Sequence, residues 1–189
     1  MFTRTRYRLL NKYKLISSYR RKTLHISAYP SVINIETSSH CNLRCSMCPR
    51  GKIVTKEGNM HLPLYKKIID EIHRCTELAV LHNWGEPMMN GNIVEMVEYA
   101  VHRGVHPMFS TNATLMNNEA GIALIRSGLP IILIGIDGAT KATYEKIRRG
   151  ADYGHVENNI LSLIENKKRL CSINPRIVLR FMEMEENRY

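Results

Sequence analysis

Three of the five cysteines lie in one stretch of eight residues, at Cys41, Cys45 and Cys48. Their C-x3-C-x2-C spacing lets a short loop present three thiolates, which can hold three corners of a cubane [4Fe–4S] cluster. This stretch has no fourth cysteine, so one iron of such a cluster would stay open to an exogenous ligand. Because the chain also lacks a secretory signal, the cysteines predict a metal or redox site and not a disulfide framework.

Zinc is the alternative that the same residues leave open. Together with His40, the three cysteines would supply a Cys3His set for a tetrahedral structural zinc site. Zinc ribbons usually come as paired knuckles, however, and no second cysteine pair follows. His40 also directly precedes Cys41, and two adjacent residues can bind the same tetrahedral zinc ion only with strain. We expect the two isolated cysteines, Cys75 and Cys171, to be small buried residues.

Short apolar runs alternate with amphipathic segments from Ser31 onward. The apolar runs predict strands at 32–35, 78–81, 105–110, 130–136 and 176–182. The amphipathic segments predict helices at 64–75, 93–101, 118–126 and 156–164. Asn92 is expected to cap the second of these helices. The alternation indicates an α/β fold with a parallel sheet and right-handed crossovers.

Every unusual motif directly follows a predicted strand. The cysteines follow the first strand, Gly85-Glu86-Pro87 the second, Thr111-Asn112 the third and Asp137-Gly138 the fourth. Parallel strands end at one edge of their sheet, and functional groups gather where the strands end. The motifs are therefore expected to converge on a single site.

The segment from Cys41 to Cys48, Cys-Asn-Leu-Arg-Cys-Ser-Met-Cys, resembles the signature of the radical S-adenosylmethionine (radical SAM) superfamily. It is most similar to the branch that often bears a downstream SPASM or twitch extension, and the resemblance runs from Ile33 to Asn187. The resemblance implies a partial (β/α)6 TIM-like barrel with parallel strands, of which about five strands are present. It also implies a [4Fe–4S] cluster on the three cysteines and S-adenosylmethionine as cofactor.

Further positions resemble the cofactor-binding loops of that family. Gly85-Glu86-Pro87 resembles the loop that binds the amino group of the methionine moiety, and a fixed carboxylate at Glu86 suits an ammonium. Trp84 stands where the family usually has a first glycine. Met47, before the third cysteine, would lie beside the adenine.

The later strand ends show the same likeness, with two departures. Thr111-Asn112 resembles the end of the family's third strand, although Ala113 stands where glycine is usual. Asp137 belongs to a segment similar to the family's Ser-Ile-Asp-Gly, in which Gly135 replaces the serine and removes an expected hydroxyl contact. Arg148 resembles the arginine that contacts the cofactor carboxylate.

The implied activity is reductive cleavage of S-adenosylmethionine to a 5′-deoxyadenosyl radical, which abstracts hydrogen from a peptide, sugar or small-molecule substrate. A flavodoxin-like or ferredoxin-like protein would donate the electron. The alternative is a truncated or non-catalytic iron–sulfur-binding fragment, or a subunit that needs a partner. That alternative rests on five predicted strands where the family's barrel needs about six.

Composition and charge indicate which broad class of protein the chain belongs to. The chain has 189 residues, of which 44% are hydrophobic and 23% charged, and this profile is typical of one globular domain. No apolar run reaches the roughly 18 residues of a transmembrane helix. Since the N-terminus also lacks the apolar centre of a signal peptide, we expect a cytoplasmic protein.

The net charge of +10 comes from a basic N-terminal arm or helix at residues 1–30, which precedes a core domain at 31–189. Residues 1–22 hold eight of the 27 basic residues, and subtracting them leaves 19 basic against 17 acidic residues. Apolar residues in the arm are spaced three and four apart, as in an amphipathic helix that lies on the domain or weakly on a membrane surface. A solvated leader helix is the alternative. No base-reading motif accompanies the charge, so no nucleic-acid partner is expected.

Overall fold

The computed structural model describes residues 4–53 and 56–188, and its centre is a parallel five-stranded sheet. The strands are β1 (Val32–Asn34), β2 (Leu78–Val80), β3 (His106–Thr111), β4 (Ile131–Gly135) and β5 (Arg176–Arg180). They pair in chain order, β1 to β5. The predicted α/β fold with parallel strands is confirmed, with strand ends shifted by one or two residues.

Six helices accompany the sheet in the described part of the chain. They are α1 (Arg4–Arg21), α2 (Leu62–Ile72), α3 (Ile93–His102), α4 (Asn118–Arg126), α5 (Lys141–Ile147) and α6 (Tyr153–Arg169). Short 3₁₀ turns lie at Pro49–Lys52, Pro87–Met89 and Glu185–Asn187. The sequence patterns missed α5, which has only seven residues.

Side-chain caps explain where several helices begin. Asn117 Oδ1 accepts from the amide of Ala120 at the start of α4, at 2.9 Å. Asn92 occupies the predicted N-cap position of α3, but its side chain makes no capping hydrogen bond. Its backbone amide instead donates to Oδ1 of Asn90 at 3.0 Å, so the preceding turn organises the start of α3.

The core lies between the sheet and the helices. Phe109 of β3 and Ile132 and Ile134 of β4 are fully buried there, whereas their alternating neighbours face the other side of the sheet. Helix residues that share this core are Met96, Val97, Leu124 and Leu163. Burial of each such side chain contributes roughly 1.5–3 kcal/mol. The helices therefore fix the strands whose carboxyl ends carry the predicted motifs.

Helix α1 lies across the amino ends of the strands and contacts the domain through polar side chains. Arg8 Nη2 donates to the carbonyl oxygens of Thr76 and Gly104, each at 2.8 Å. Asn11 is buried and exchanges two hydrogen bonds with the backbone of Tyr29. Several apolar side chains of α1, including Tyr19, which is 85% exposed, face solvent. In the described chain, no helix is long and apolar enough to cross a membrane.

The two isolated cysteines do not behave as predicted. Cys75 is only half-buried, and Cys171 is exposed. Cys171 follows α6 in a turn with a φ of 49°, where its amide donates to the carbonyl oxygen of Lys168 at 3.0 Å. A turn position outside the sheet–helix core explains its exposure.

Candidate functional site

A cavity of about 380 Å³ opens at the carboxyl ends of the strands, within the size range of small-molecule sites. Its wall includes Cys41, Cys45, Met47, Cys48, Gly85, Glu86, Thr111, Asn112, Asp137 and Arg148. The predicted convergence of the motifs is thus present in the structure. Pro87 differs, since it is buried at the start of a 3₁₀ turn and does not line this cavity.

The cysteine loop is held by backbone contacts with the end of α5. The amide of Arg44 donates to the carbonyl oxygen of Arg149 at 3.0 Å, and the amide of Ser46 donates to that of Ile147 at 2.9 Å. Burial raises the pKa of the Cys41 thiol. Metal binding requires thiolates, so assembly of a cluster on this loop would release protons.

The donor set fits an iron–sulfur cluster better than zinc. Three free thiols share one wall of the cavity, and each thiolate of a cubane cluster binds a different iron. His40, the fourth ligand of the zinc alternative, does not line the cavity, and its Nδ1 lies 3.1 Å from Glu57 Oε2. Across 4–53 and 56–188, no three His, Cys, Asp or Glu side chains are grouped to hold one ion.

Gly85 lets the second motif pack directly on the cysteine loop. A Cβ at this position would overlap the carbonyl oxygen of Ser38 and come within 2.8 Å of that of His40. The amide of Glu86 donates to the same His40 oxygen at 2.7 Å. Glu36, which the sequence analysis missed, joins the two loops further, because its Oε1 accepts from the amide of Trp84 at 2.8 Å.

Glu86 is a buried carboxylate with most of its acceptor capacity used. Its Oε1 accepts from Thr111 Oγ1 at 2.8 Å and from the amide of Met88 at 3.1 Å, while Oε2 accepts from the amide of Asn112 at 2.7 Å. Of about four lone-pair sites on a carboxylate, one on Oε2 remains. Burial raises the pKa of Glu86, although these donors oppose the rise.

No cation of the described chain forms an ion pair with Glu86, which is only 3% exposed. Buried charges in proteins are normally paired, so this carboxylate is suited to a cationic ligand group such as an ammonium.

Asp137 and Arg148 form a largely buried ion pair in the same cavity. Arg148 Nε donates to Asp137 Oδ2 at 2.6 Å, and Asp137 Oδ1 accepts from the amide of Met182 at 2.8 Å. Burial alone would lower the pKa of Arg148, but the charges of Asp137 and Cys45 outweigh it and raise that pKa. Asp137 therefore positions Arg148, whose remaining N–H groups can receive an anion.

The structure explains the departure from the family pattern at Gly135 and shows the backbone conformation at Ala113. A Cβ at Gly135 would overlap Arg148 Nη2 and lie 2.8 Å from its Cζ, so the glycine makes room for the guanidinium. Ala113 has a φ of 58°, in the left-handed region where glycine is favoured.

Thr111 and Asn112 serve mainly as internal braces. The Thr111 hydroxyl donates to Glu86, and Asn112 Nδ2 donates to Asn42 Oδ1 of the cysteine loop at 2.9 Å. Asn112 Oδ1 accepts from the amide of Thr114 at 2.9 Å. These bonds connect the third strand end to both preceding motifs.

Sequence reasoning also missed His82 and Arg180, which both line the cavity. His82 Nδ1 accepts from the amide of Ser110 at 3.1 Å. Burial, together with the charge of Arg180, lowers the pKa of His82. Their positions in the sequence could have identified both residues, because His82 follows the second predicted strand and Arg180 interrupts the apolar pattern of the fifth.

Comparison with known proteins gives a consistent result. The family model of the radical SAM superfamily matches residues 35–183. The tungsten-containing aldehyde ferredoxin oxidoreductase cofactor-modifying protein of Pyrococcus furiosus is 27% identical over 155 residues, 81% of this chain and 44% of that protein. The mycofactocin maturase MftC of Mycobacterium ulcerans is 29% identical over 124 residues, 66% of this chain and 34% of that protein.

Solved structures share the fold. Streptococcus suis SuiB bound to precursor peptide SuiA superposes with a TM-score of 0.67 at 13% identity, covering 89% of this chain and 36% of that one. Native anSMEcpe with bound AdoMet and Kp18Cys peptide gives a TM-score of 0.62 at 18% identity, covering 79% of this chain and 42% of that one. The fold prediction of a partial TIM-like barrel is confirmed.

The lengths differ between this chain and its relatives. The chain spans less than half the length of the curated relatives it matches. The family match supports the hypothesis of a radical SAM enzyme.

Proposed function

This chain belongs to the radical SAM superfamily, and from that premise we propose that it is the core of an enzyme that cleaves S-adenosylmethionine reductively. Members of this family use a [4Fe–4S] cluster and S-adenosylmethionine. When bound, the cluster supplies the electron that splits the cofactor into methionine and a 5′-deoxyadenosyl radical, which takes hydrogen from a substrate carbon. Cys41, Cys45 and Cys48 would hold the cluster.

Glu86 carries this proposal. It is a buried carboxylate without a cation partner among the described residues, it retains one acceptor site, and it lines the same cavity as the three thiols. A cofactor ammonium would neutralise it. The other predicted binding residues line the same cavity, except Pro87, which is buried and follows Glu86 in the chain.

We assign complementary roles to the remaining walls. Arg148, held by Asp137, would receive the carboxylate of the methionine moiety. Met47 would pack beside the adenine, where a polarisable thioether makes favourable contact with an aromatic ring. Gly85, Thr111 and Asn112 would keep Glu86 and the cysteine loop in place.

Enzymes of this superfamily generally need an electron donor and a substrate. We propose a flavodoxin-like or ferredoxin-like donor and a peptide, sugar or other small molecule as substrate. The names of two relatives, a cofactor-modifying protein and a maturase, support this range. We place the protein in the cytoplasm. Weak membrane-surface contact through α1 stays a prediction, supported by its exposed apolar residues among basic ones.

Anaerobic reconstitution tests the proposed function. The chain is loaded with iron and sulfide, reduced, and mixed with S-adenosylmethionine, and 5′-deoxyadenosine is quantified. We expect its formation to depend on the cluster and on the cofactor. An assembled cubane cluster that yields no 5′-deoxyadenosine would count against an enzyme.

A further inference from the structure

We propose that Arg180 and His82 form an anion-binding subsite for the substrate, so that the substrate carries a carboxylate or phosphate group. The proposal rests on the proposed function, because it assigns the substrate side of the same cavity. It concerns two cavity residues to which the proposed function assigns no role.

Arg180 lies at the carboxyl end of β5, level with Gly135 of β4. Alternation along the strand separates it from Ile177, which packs against the hydrophobic core on the other face. Its side chain therefore belongs to the face of the sheet that carries the cavity, and it lines that cavity.

The guanidinium of Arg180 is a cation without a partner within the described chain. No hydrogen bond or ion pair of its side chain occurs at 4–53 or 56–188, whereas Arg148, at the end of α5, is neutralised by Asp137. Glu86, the buried anion of the cavity, would be neutralised by the cofactor ammonium. Arg180 thus leaves a positive charge that a bound anion can satisfy.

His82 supplies a neutral donor beside this charge. Because its Nδ1 accepts the amide hydrogen of Ser110, the ring proton of the neutral form resides on Nε2. Burial and the charge of Arg180 lower the pKa of His82, so the neutral form is favoured. His82 and Arg180 line the same cavity, so the Nε2–H group and the guanidinium offer two donors for oxygen atoms of an anion.

The single tryptophan of the chain reports on this subsite. Trp84 is 42% exposed and lines the same cavity, so its fluorescence is a binding signal separate from turnover. Arg176 provides a matched control. It lies on the same strand, four residues before Arg180, and does not line this cavity.

The experiment titrates the reconstituted full chain, saturated with S-adenosylmethionine, with succinate and with inorganic phosphate at constant ionic strength. Saturating cofactor occupies Arg148, so the added anion reports on the remaining cation. We expect a saturable Trp84 signal with at least one probe. Arg180→Ala should weaken binding of that probe at least about tenfold, since charge-assisted hydrogen bonds are lost. Arg176→Ala should titrate like the wild type.

Each outcome bears on the proposal. A response to succinate alone indicates a carboxylate substrate, and a response to phosphate alone indicates a phosphate. The subsite is wrong if Arg180→Ala titrates like the wild type, if Arg176→Ala weakens binding equally, or if no probe binds. It is also wrong if Arg180→Ala weakens the affinity for S-adenosylmethionine and not that for the probe.

The proposed function is judged separately, by 5′-deoxyadenosine formation in the wild type. If the wild type forms none while its anion binding still requires Arg180, the enzyme proposal fails and only the anion-binding role of Arg180 stands. If 5′-deoxyadenosine forms and Arg180→Ala binds anions normally, the subsite alone fails.

Discussion

Replacement of Glu86 by glutamine changes the charge of the buried carboxylate while keeping its shape. In the wild type, Oε1 and Oε2 together accept from Thr111, Met88 and Asn112. A glutamine offers one oxygen and one NH2 group, so in either orientation at least one backbone N–H loses its acceptor. Glu86→Gln therefore removes the negative charge and disturbs one internal hydrogen bond.

The two effects have different sizes. Loss of a charged acceptor for the cofactor ammonium costs about 2 kcal/mol, which corresponds to about a 30-fold weaker affinity for S-adenosylmethionine. An unsatisfied buried N–H costs roughly 1–3 kcal/mol of folding free energy. Removal of a buried charge offsets part of that cost, because burial raises the pKa of Glu86 and ionisation is therefore unfavourable. We expect the free energy of unfolding to change by no more than about 2 kcal/mol.

Isothermal titration calorimetry of the reconstituted protein measures the affinity, and urea unfolding measures the stability. Glu95→Gln is the control, because Glu95 is exposed on α3 and, among the described residues, pairs only with Lys66. Its affinity should match that of the wild type. The iron content of both variants is measured in parallel.

The pH dependence has a defined sign. Because folding raises the pKa of Glu86, this group stabilises the unliganded fold below the ordinary glutamate pKa, and that contribution is lost as the pH rises through the raised value. Affinity for S-adenosylmethionine should instead fall as the pH drops through the raised value, since the protonated acid cannot pair with an ammonium. Both slopes should vanish in Glu86→Gln. Wild-type affinity in a folded, cluster-loaded Glu86→Gln variant would refute the assignment of Glu86.

Three further predictions follow from other parts of the site. Gly135→Ala should push the Arg148 guanidinium away from Asp137 and weaken S-adenosylmethionine binding about tenfold, as measured by calorimetry. Gly121→Ala is the control, because a Cβ there would meet only Leu163, at 3.5 Å, and its affinity should match that of the wild type. Equal affinities of the two variants would contradict this prediction. The His82 pKa is lowered on folding, so its stabilising contribution is present above the ordinary histidine pKa of about 6.5 and lost as the pH falls through the lowered value. His82→Phe should flatten that acid limb of the urea-unfolding free energy, and an unchanged limb would exclude His82 as its source. Cys45→Ala should abolish the iron–sulfur absorbance and exposed Cys171→Ala should keep it, so retention of a full cluster in Cys45→Ala would remove that ligand.

The strand pattern was predictable because each strand is a short apolar run between turn residues. Ile132 and Ile134 illustrate this, since the core requires apolar side chains at both positions. The shared edge of the sheet followed from parallel pairing, and it brought the cysteine loop, Glu86 and Arg148 to one cavity. The strand positions and their common edge follow from local sequence and from parallel topology, and both can be inferred from the periodicity of apolar residues.

Other features depend on contacts that no local pattern encodes. The bond between Asn42 and Asn112 joins residues 70 positions apart, and the Trp84 amide reaches Glu36 across 48. Helix α5 was not predicted, because its seven residues contain too few turns to show a helical periodicity. Its start is nevertheless capped, since the Thr140 side chain accepts from the amide of Thr143. At position 135 the sequence predicts the loss of a hydroxyl contact, whereas the structure shows that the glycine makes room for the Arg148 side chain.

The most direct test of a three-cysteine cluster with an open iron is electron paramagnetic resonance of the reduced, reconstituted wild type. Three protein thiolates leave one iron for an exogenous ligand. Addition of S-adenosylmethionine should therefore change the spectrum of the reduced cluster, and this change should be weakened in Glu86→Gln. A reduced [4Fe–4S] spectrum that S-adenosylmethionine leaves unaltered would contradict the assignment, as would stoichiometric zinc in place of iron.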